Sequence, residues 1–241
     1  MIRAAYFDAA GTLFDSREPI GRTYARIARD FGVDAPEDAV AASFHQVFRA
    51  AEGLAFGPGH PAAELRRLER EWWRSRVGAT FEALGKFRDF DSYFEALFGY
   101  FADPINWEVF PEASDTLQRL KDRGLKLGVI SNFDYRLYRI LDGLDLTRYF
   151  DSVSISSEVG YAKPRREIFD AALACLDATA GDAIHIGDSE HLDFAAAESA
   201  GIAAVLVDRD RPETAPAIAA RGARISSLAQ VLEVARVFGF A

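Results

Sequence analysis

The chain has 241 residues, 49% hydrophobic, 27% charged and 12% aromatic, a composition that excludes disordered, collagenous and low-complexity classes. At ~100–200 residues per domain, the length allows one large domain or one domain carrying an insertion. The formal net charge of −9 disfavours nucleic acid and anionic membranes as partners. No run of ~18 apolar residues offers a membrane span. Met1 is followed by the short apolar stretch Ala4–Phe7 and then Asp8, which is not the pattern of a signal peptide, so a cytoplasmic location is expected. The single cysteine, Cys175, excludes an internal disulfide and a cysteine-rich metal site, and reads as a small buried hydrophobe. Only four lysines stand against 24 arginines, so a lysine in a loop stands out.

Ile2–Phe7 reads as a short buried strand that runs into the turn Asp8-Ala9-Ala10-Gly11-Thr12. From Ser16 to Trp107 the periodicity is helical. Ile20, Tyr24, Ile27, Ala28 and Phe31 share one face, and Gly32 stops that helix. Val40, Phe44, Val47 and Phe48 mark a second helix, and Gly53 to Pro61 is a loop. Leu65, Leu68 and Trp72 mark a third, and Tyr93, Phe94, Leu97, Phe98 and Phe101 a fourth. Beyond Trp107 strands and helices alternate. Helices are expected at Glu112–Arg123, Tyr135–Leu141, Arg166–Leu176, Phe194–Ser199 and Ser227–Val237. Strands are expected at Leu125–Ile130, Ser152–Ile155, Ala183–Ile186 and Ile202–Val207. This alternation predicts an α/β fold, a doubly wound, Rossmann-like parallel sheet. Residues 1–15 and 108–241 would form that core, and residues 16–107 a helical-bundle cap inserted after the first strand.

In open parallel sheets ligands bind beyond the carboxyl ends of the strands. The polar residues at those ends here are Asp8, Ser131-Asn132 and Asp188, with Asp193 five residues on, and the strand at 152–155 leads through a loop to Lys163-Pro164. Singly, each has an ordinary reading: Asp8 or Asp188 as a helix N-cap, Ser131-Asn132 as a capping turn, Lys163 as a solvated side chain. Together they supply three acids, a hydroxyl, an amide and a scarce lysine. That set suits Mg²⁺, which takes hard carboxylate oxygens, and a phosphoryl group, whose oxygens accept from Ser, Asn and Lys donors.

These residues lie in four motifs in order: Phe7-Asp8-Ala9-Ala10-Gly11-Thr12-Leu13, Val129-Ile130-Ser131-Asn132, Ser157-Glu158-Val159-Gly160-Tyr161-Ala162-Lys163-Pro164, and Gly187-Asp188-Ser189 with Asp193. They resemble the haloacid dehalogenase superfamily, in the branch with a helical cap after the first motif. The run Ser131-Asn132-Phe133-Asp134-Tyr135-Arg136-Leu137 is most similar to the rhythmically-expressed-gene-2-like (domain-containing protein 3) group. The resemblance implies a hydrolase, a phosphatase acting on a small phosphorylated metabolite through an aspartyl-phosphate. Asp8 would be the nucleophile. Asp8, the backbone carbonyl of Ala10, and Asp188 would ligate Mg²⁺, with Asp193 supporting through water. Thr12, Ser131, Asn132 and Lys163 would hold substrate, Lys163 also acting as a catalytic residue that offsets carboxylate repulsion and Thr12 ordering the first loop. Oligomeric state is left open.

The first motif departs from the family's Asp-x-Asp-x-Thr. Ala10 stands where the family carries the acid that protonates the leaving group and later activates water, a contribution of roughly 10²–10⁴-fold. Four readings stay open: a phosphatase that is weakened or assisted by another acid (His191, Asp15 or Glu18), a 2-haloacid dehalogenase, a phosphonoacetaldehyde hydrolase using Lys86, or a non-catalytic binding protein that keeps the pocket. His185 reads as a core residue, and Trp72 and Trp73 as bundle core.

Overall fold

The computed structural model describes residues 2–211, 215–219 and 222–239. β1 (Ala4–Phe7) is buried along its whole length. β2 (Phe14–Ser16) leads into α1 (Ile20–Asp30), α2 (Glu37–Ala50), α3 (Ala62–Phe81) and α4 (Phe90–Tyr100). β3 (Trp107–Val109) returns antiparallel to β2, with Ser16 opposite Trp107. The alternating part follows: α5 (Ala113–Asp122), β4 (Lys126–Ser131), α6 (Arg136–Gly143), β5 (Ser152–Ile155), α7 (Ser156–Val159), α8 (Arg166–Cys175) and β6 (Ala183–Gly187). A π-helical turn at Glu190–Phe194 enters α9 (Ala195–Ser199), and β7 (Ala203–Val207), β8 (Ala217–Ile218), β9 (Gly222–Ile225) and α10 (Val231–Phe238) complete the described chain.

The large sheet has the order β5-β4-β1-β6-β7-β9-β8, parallel except for β8 against β9. Its central strands β1, β4, β6 and β7 are largely apolar and buried because helices cover both faces. Period-two alternation divides them. Phe7, Leu127, Val129, Ile186 and Val205 pack on one side with Leu117, Leu120 and Val231. Tyr6, Ile130 and Ala204 pack on the other with Ile168, Phe169 and Ala196. The four helices α1–α4 enclose an apolar cluster of their own, centred on Tyr24, Val77, Phe81, Tyr93 and Phe98.

That helical layer crosses the sheet's carboxyl ends at named contacts. Trp73 Nε1 donates to Asp134 Oδ2 (2.6 Å), Ser156 Oγ to the Leu54 carbonyl (2.6 Å) and Ser157 Oγ to Glu69 Oε1 (2.6 Å). The β2–β3 pair is where the chain leaves and re-enters the core. There Trp107 meets Phe14, Phe101 and Phe133 with ring centroids at 5.4, 5.9 and 6.3 Å.

Several expectations change. Cys175 is exposed, not buried. It is the last residue of α8 and lies off the face carrying Ile168, Phe169, Ala172 and Leu173. The strands β2, β3, β8 and β9 were not expected, since two to four residues carry too little periodicity to read. The helix expected from Phe194 begins instead with the π turn at Glu190. Among the described residues, no helix is long and apolar enough to cross a membrane.

Trp107 joins hairpin, helical layer and sheet at 6% exposure. Trp107→Ala should lower the unfolding free energy by ~3–5 kcal/mol, measured by denaturant titration. A loss under ~1 kcal/mol would mean that these aromatic contacts do not carry the junction.

Candidate active site

β1 sits between β4 and β6, so the connections from these neighbours leave in opposite directions and a crevice opens at their ends. Asp8, Ser131 and Asp188 stand at those three ends. The Asp8 N–H donates to the Ile186 carbonyl (2.9 Å), extending the strand ladder by one residue and fixing where its carboxylate emerges.

Backbone approach in the next turn is close. Gly11 has φ +86°, and a Cβ there would lie 2.6 Å from Asp188 Oδ2, so any side chain would both strain the turn and displace the acid. Thr12, fully buried, donates through Oγ1 to Asp188 Oδ1 (3.2 Å). Arg209, beyond β7, holds the same turn from outside: its Nη2 donates to the Thr12 carbonyl (2.9 Å), its Nε to that of Gly11 (3.4 Å), and its Nη1 pairs with Glu112 (2.7 Å).

The centre is Lys163. Its Nζ donates to Asp8 Oδ1 at 2.7 Å and to Asp193 Oδ1 at 2.6 Å, and its side chain is 2% exposed. Asn132 clamps its main chain from both ends: Nδ2 donates to the Lys163 carbonyl (2.9 Å), and Oδ1 accepts from the Lys163 N–H (2.7 Å). Asp193 is fixed on its other sides by the Ser189 N–H on Oδ2 (3.0 Å) and by His185 Nε2 on Oδ1 (2.8 Å). It packs where Gly187 leaves room, since a Cβ there would lie 2.2 Å from Asp193 Cγ.

The charges follow from that geometry. Burial pushes the Asp8 carboxyl up, and Lys163 works against it. Burial also opposes ionisation of Asp193, but Lys163 and His185 outweigh it and hold that carboxyl well below the usual carboxylate range. Lys163 is held above its ordinary value by the two carboxylates despite its burial. The Asp188 carboxyl is pushed up to about 7 by burial and then by the charges of Asp8 and Asp193. The two neighbouring charges are the part of that rise that a cation would reverse.

Carboxylate oxygens of Asp8, Asp188 and Asp193 lie within 4.8 Å of one another. The structure therefore brings together Asp8, Thr12, Lys163, Asp188 and Asp193. Ser131 ends β4, buried, and Asn132 reaches Lys163's backbone. Ala10 lines a cavity between sheet and helical layer. His191, Asp15 and Lys86 are exposed, and Glu18 is engaged by Arg26 (3.1 Å) and Thr23 (3.3 Å). His185, read from sequence as core, is buried and bonded to Asp193. The strand period offered a signal, because residues 185 and 187 share a face. Arg209 had none, being one arginine of many in a loop. Trp73, read as bundle core, bonds Asp134 and lines the cavity.

A family model for haloacid dehalogenase-like hydrolases matches residues 2–201. The chain belongs to that family. This hydrolase is similar to the haloacid dehalogenase-like hydrolase domain-containing protein 3 of Mus musculus, 36% identical over 217 residues that cover 88% of this chain and 84% of that one. In fold it is similar to a HAD phosphatase from Thermococcus onnurineus (24% identity, TM-score 0.64, 99% of both chains) and to the L-2-haloacid dehalogenase of Xanthobacter autotrophicus (19%, 0.69, 100% of both). One fold thus houses both chemistries, and only the site residues can discriminate between them.

Asp188 yields a pH prediction. Its carboxyl moves from 3.8 to about 7 on folding, so across that window the folded state holds a proton that the unfolded chain has released. Its contribution to stability therefore falls as pH rises from 3.8 to about 7. Thermal melts without divalent cation should show Asp188→Asn gaining on wild type across this window. A pH-independent difference between the two proteins would contradict the assignment.

Proposed function

We propose that this hydrolase is a Mg²⁺-dependent phosphatase acting on a small phosphorylated substrate through a phospho-Asp8 intermediate. The observation that carries the reading is three carboxylates converging around one ammonium group. With all three acids ionised the site holds two negative charges more than Lys163 offsets, a deficit that a hard dication on oxygen ligands removes. Asp8, Asp188 and the Ala10 carbonyl would hold Mg²⁺. Asp193, with both oxygens already bonded, would support it through water. Bound there, Mg²⁺ neutralises charge on the phosphoryl oxygens.

The chain's own residues supply the rest. Lys163 bonds Asp8 Oδ1 and leaves Oδ2 to attack phosphorus. A P–Oδ bond forms, the P–O bond to the leaving group breaks, and that oxygen departs with the electron pair. Water then attacks the phosphoryl group, releasing phosphate and the Asp8 carboxylate. Ser131, at the end of β4, and Lys163 would donate to phosphoryl oxygens. The helical layer over the strand ends acts as a cap that limits water at the site.

Halide displacement needs no leaving-group proton and suits Ala10, but it has no use for the Asp188–Asp193 pair. The Schiff-base route has no lysine at the site beyond Lys163, since Lys86 lies exposed between α3 and α4. A non-catalytic role is the second reading, favoured by Ala10 itself.

Activity with 4-nitrophenyl phosphate should require Mg²⁺, be lost in Asp8→Asn, and exceed activity with alkyl phosphates. Ala10→Asp should raise alkyl phosphate turnover by up to ~10²–10⁴-fold. Chloride release from 2-chloropropionate without metal would overturn the reading in favour of dehalogenation. Mg²⁺-dependent vanadate binding with no turnover of any phosphate ester would favour the binding protein.

A further inference from the structure

A cavity of about 170 Å³ opens between the sheet and the helical layer, and Ala10 forms part of its wall. The remainder is mostly aromatic: Trp73, Phe94, Phe98, Trp107 and Phe133 line it. Its polar groups are few and largely engaged. The Arg136 guanidinium is bonded to Asp134 through Nε (2.8 Å) and Nη2 (2.6 Å). The Ser16 hydroxyl donates to the Glu18 carbonyl (2.9 Å), and Asp15, which lines the cavity with its side chain exposed, accepts from the Ser16 N–H through Oδ1 (2.7 Å). Burial keeps the Tyr24 hydroxyl protonated.

This cavity begins at the position where the leaving group's proton donor is missing. A sugar or nucleoside leaving group placed there would lose its hydration and recover few hydrogen bonds from so apolar a wall, a penalty for each hydroxyl left unpaired. The volume matches a single ring, since an apolar cavity of ~150 Å³ holds benzene. An alkoxide departing beside Ala10 would lack the acid usual at that position and find among the lining residues only the exposed Asp15 carboxyl, whereas a phenolate is stabilised by its own ring.

We infer that the substrate is an aryl phosphate whose single, uncharged ring occupies this cavity. The inference rests on the phosphatase reading and narrows its substrate class. Asp8 attacks phosphorus, the P–O(aryl) bond breaks, and the phenolate leaves with the electron pair and takes its proton from water. The aromatic wall selects the ring, and Ala10 leaves room for it.

Two readouts separate the inference from the reading beneath it. The first is binding without turnover, in the presence of Mg²⁺, followed by tryptophan fluorescence. Phenylphosphonate should bind wild type about tenfold or more tightly than methylphosphonate, and Val77→Phe, which fills the cavity from α3, should remove that advantage. Equal affinities in wild type would overturn the inference even if the protein proves to be a phosphatase. The second is turnover. The ratio of kcat/KM for phenyl phosphate over acetyl phosphate should fall at least about tenfold in Val77→Phe. If Val77→Phe does not fold, Phe44→Leu, which enlarges the cavity, should shift preference from phenyl phosphate towards 4-tert-butylphenyl phosphate, and an unchanged preference would contradict the assignment. Failure to hydrolyse either phosphate, with the phenyl preference in binding intact, would sink the phosphatase reading and leave the aromatic pocket standing.

Discussion

One ammonium group shared by two buried carboxylates organises the site. Lys163 contacts Asp8 and Asp193 at 2.7 and 2.6 Å where water hardly reaches. Burying an ion costs several kcal/mol unless good geometry offsets it, so each of the three is tolerable only because the others are placed accurately. Much of the local structure serves that placement. Asn132 bonds both main-chain polar groups of Lys163, and Ser189 and His185 fix Asp193. Gly11 and Gly187 admit the acids where any Cβ would collide with them. The order of the sheet, with β1 between β4 and β6, is what delivers residues so distant in sequence to one crevice.

The helical layer contributes a contrasting environment. On the sheet side the crevice is charged and hydrogen-bonded; on the other it is a wall of rings. The seam is closed by a few polar links, among them the buried Asp134–Arg136 pair receiving Trp73 Nε1. Phe98 lies under that guanidinium at 3.8 Å, so the charge is dispersed over aromatic faces. Ala10 stands on the boundary between the two environments. A carboxylate there would have faced the rings, and the methyl group instead continues the apolar surface.

The central strands of the sheet were legible because they are largely apolar runs ending in a turn, a hydroxyl or an acid, and because ordered motifs follow them. The four helices were legible from the 3.6-residue period of Tyr24, Phe44, Leu65 and Phe94. Asp8 and Asp188 could be named because they stand at strand exits, and Lys163 and Asp193 because they belong to the ordered motifs that follow the strands. What could not be read is what the chain does only in three dimensions. Arg209 acts on a turn nearly 200 residues earlier, 198 from Gly11. Thr12 proves to hold an acid, and Asn132 a lysine backbone. Cys175 shows a limit of residue averages: a type usually buried sits at a helix end on the solvent side. The cavity was hidden for the same reason, since periodicity says that Trp73 and Phe98 face inward but not that they leave a gap.

The account turns on Asp8 as the group that takes the phosphoryl. If Ala10 leaves water without its usual activating acid, the intermediate should accumulate. Acid quenching during turnover of 4-nitrophenyl phosphate with Mg²⁺, followed by peptide mass spectrometry, reads this directly. The predicted result is one phosphoryl group on Asp8, absent without Mg²⁺ and absent in Asp8→Asn. Phosphate release with Asp8 unmodified at every time point, or continuing in Asp8→Asn, would contradict the account.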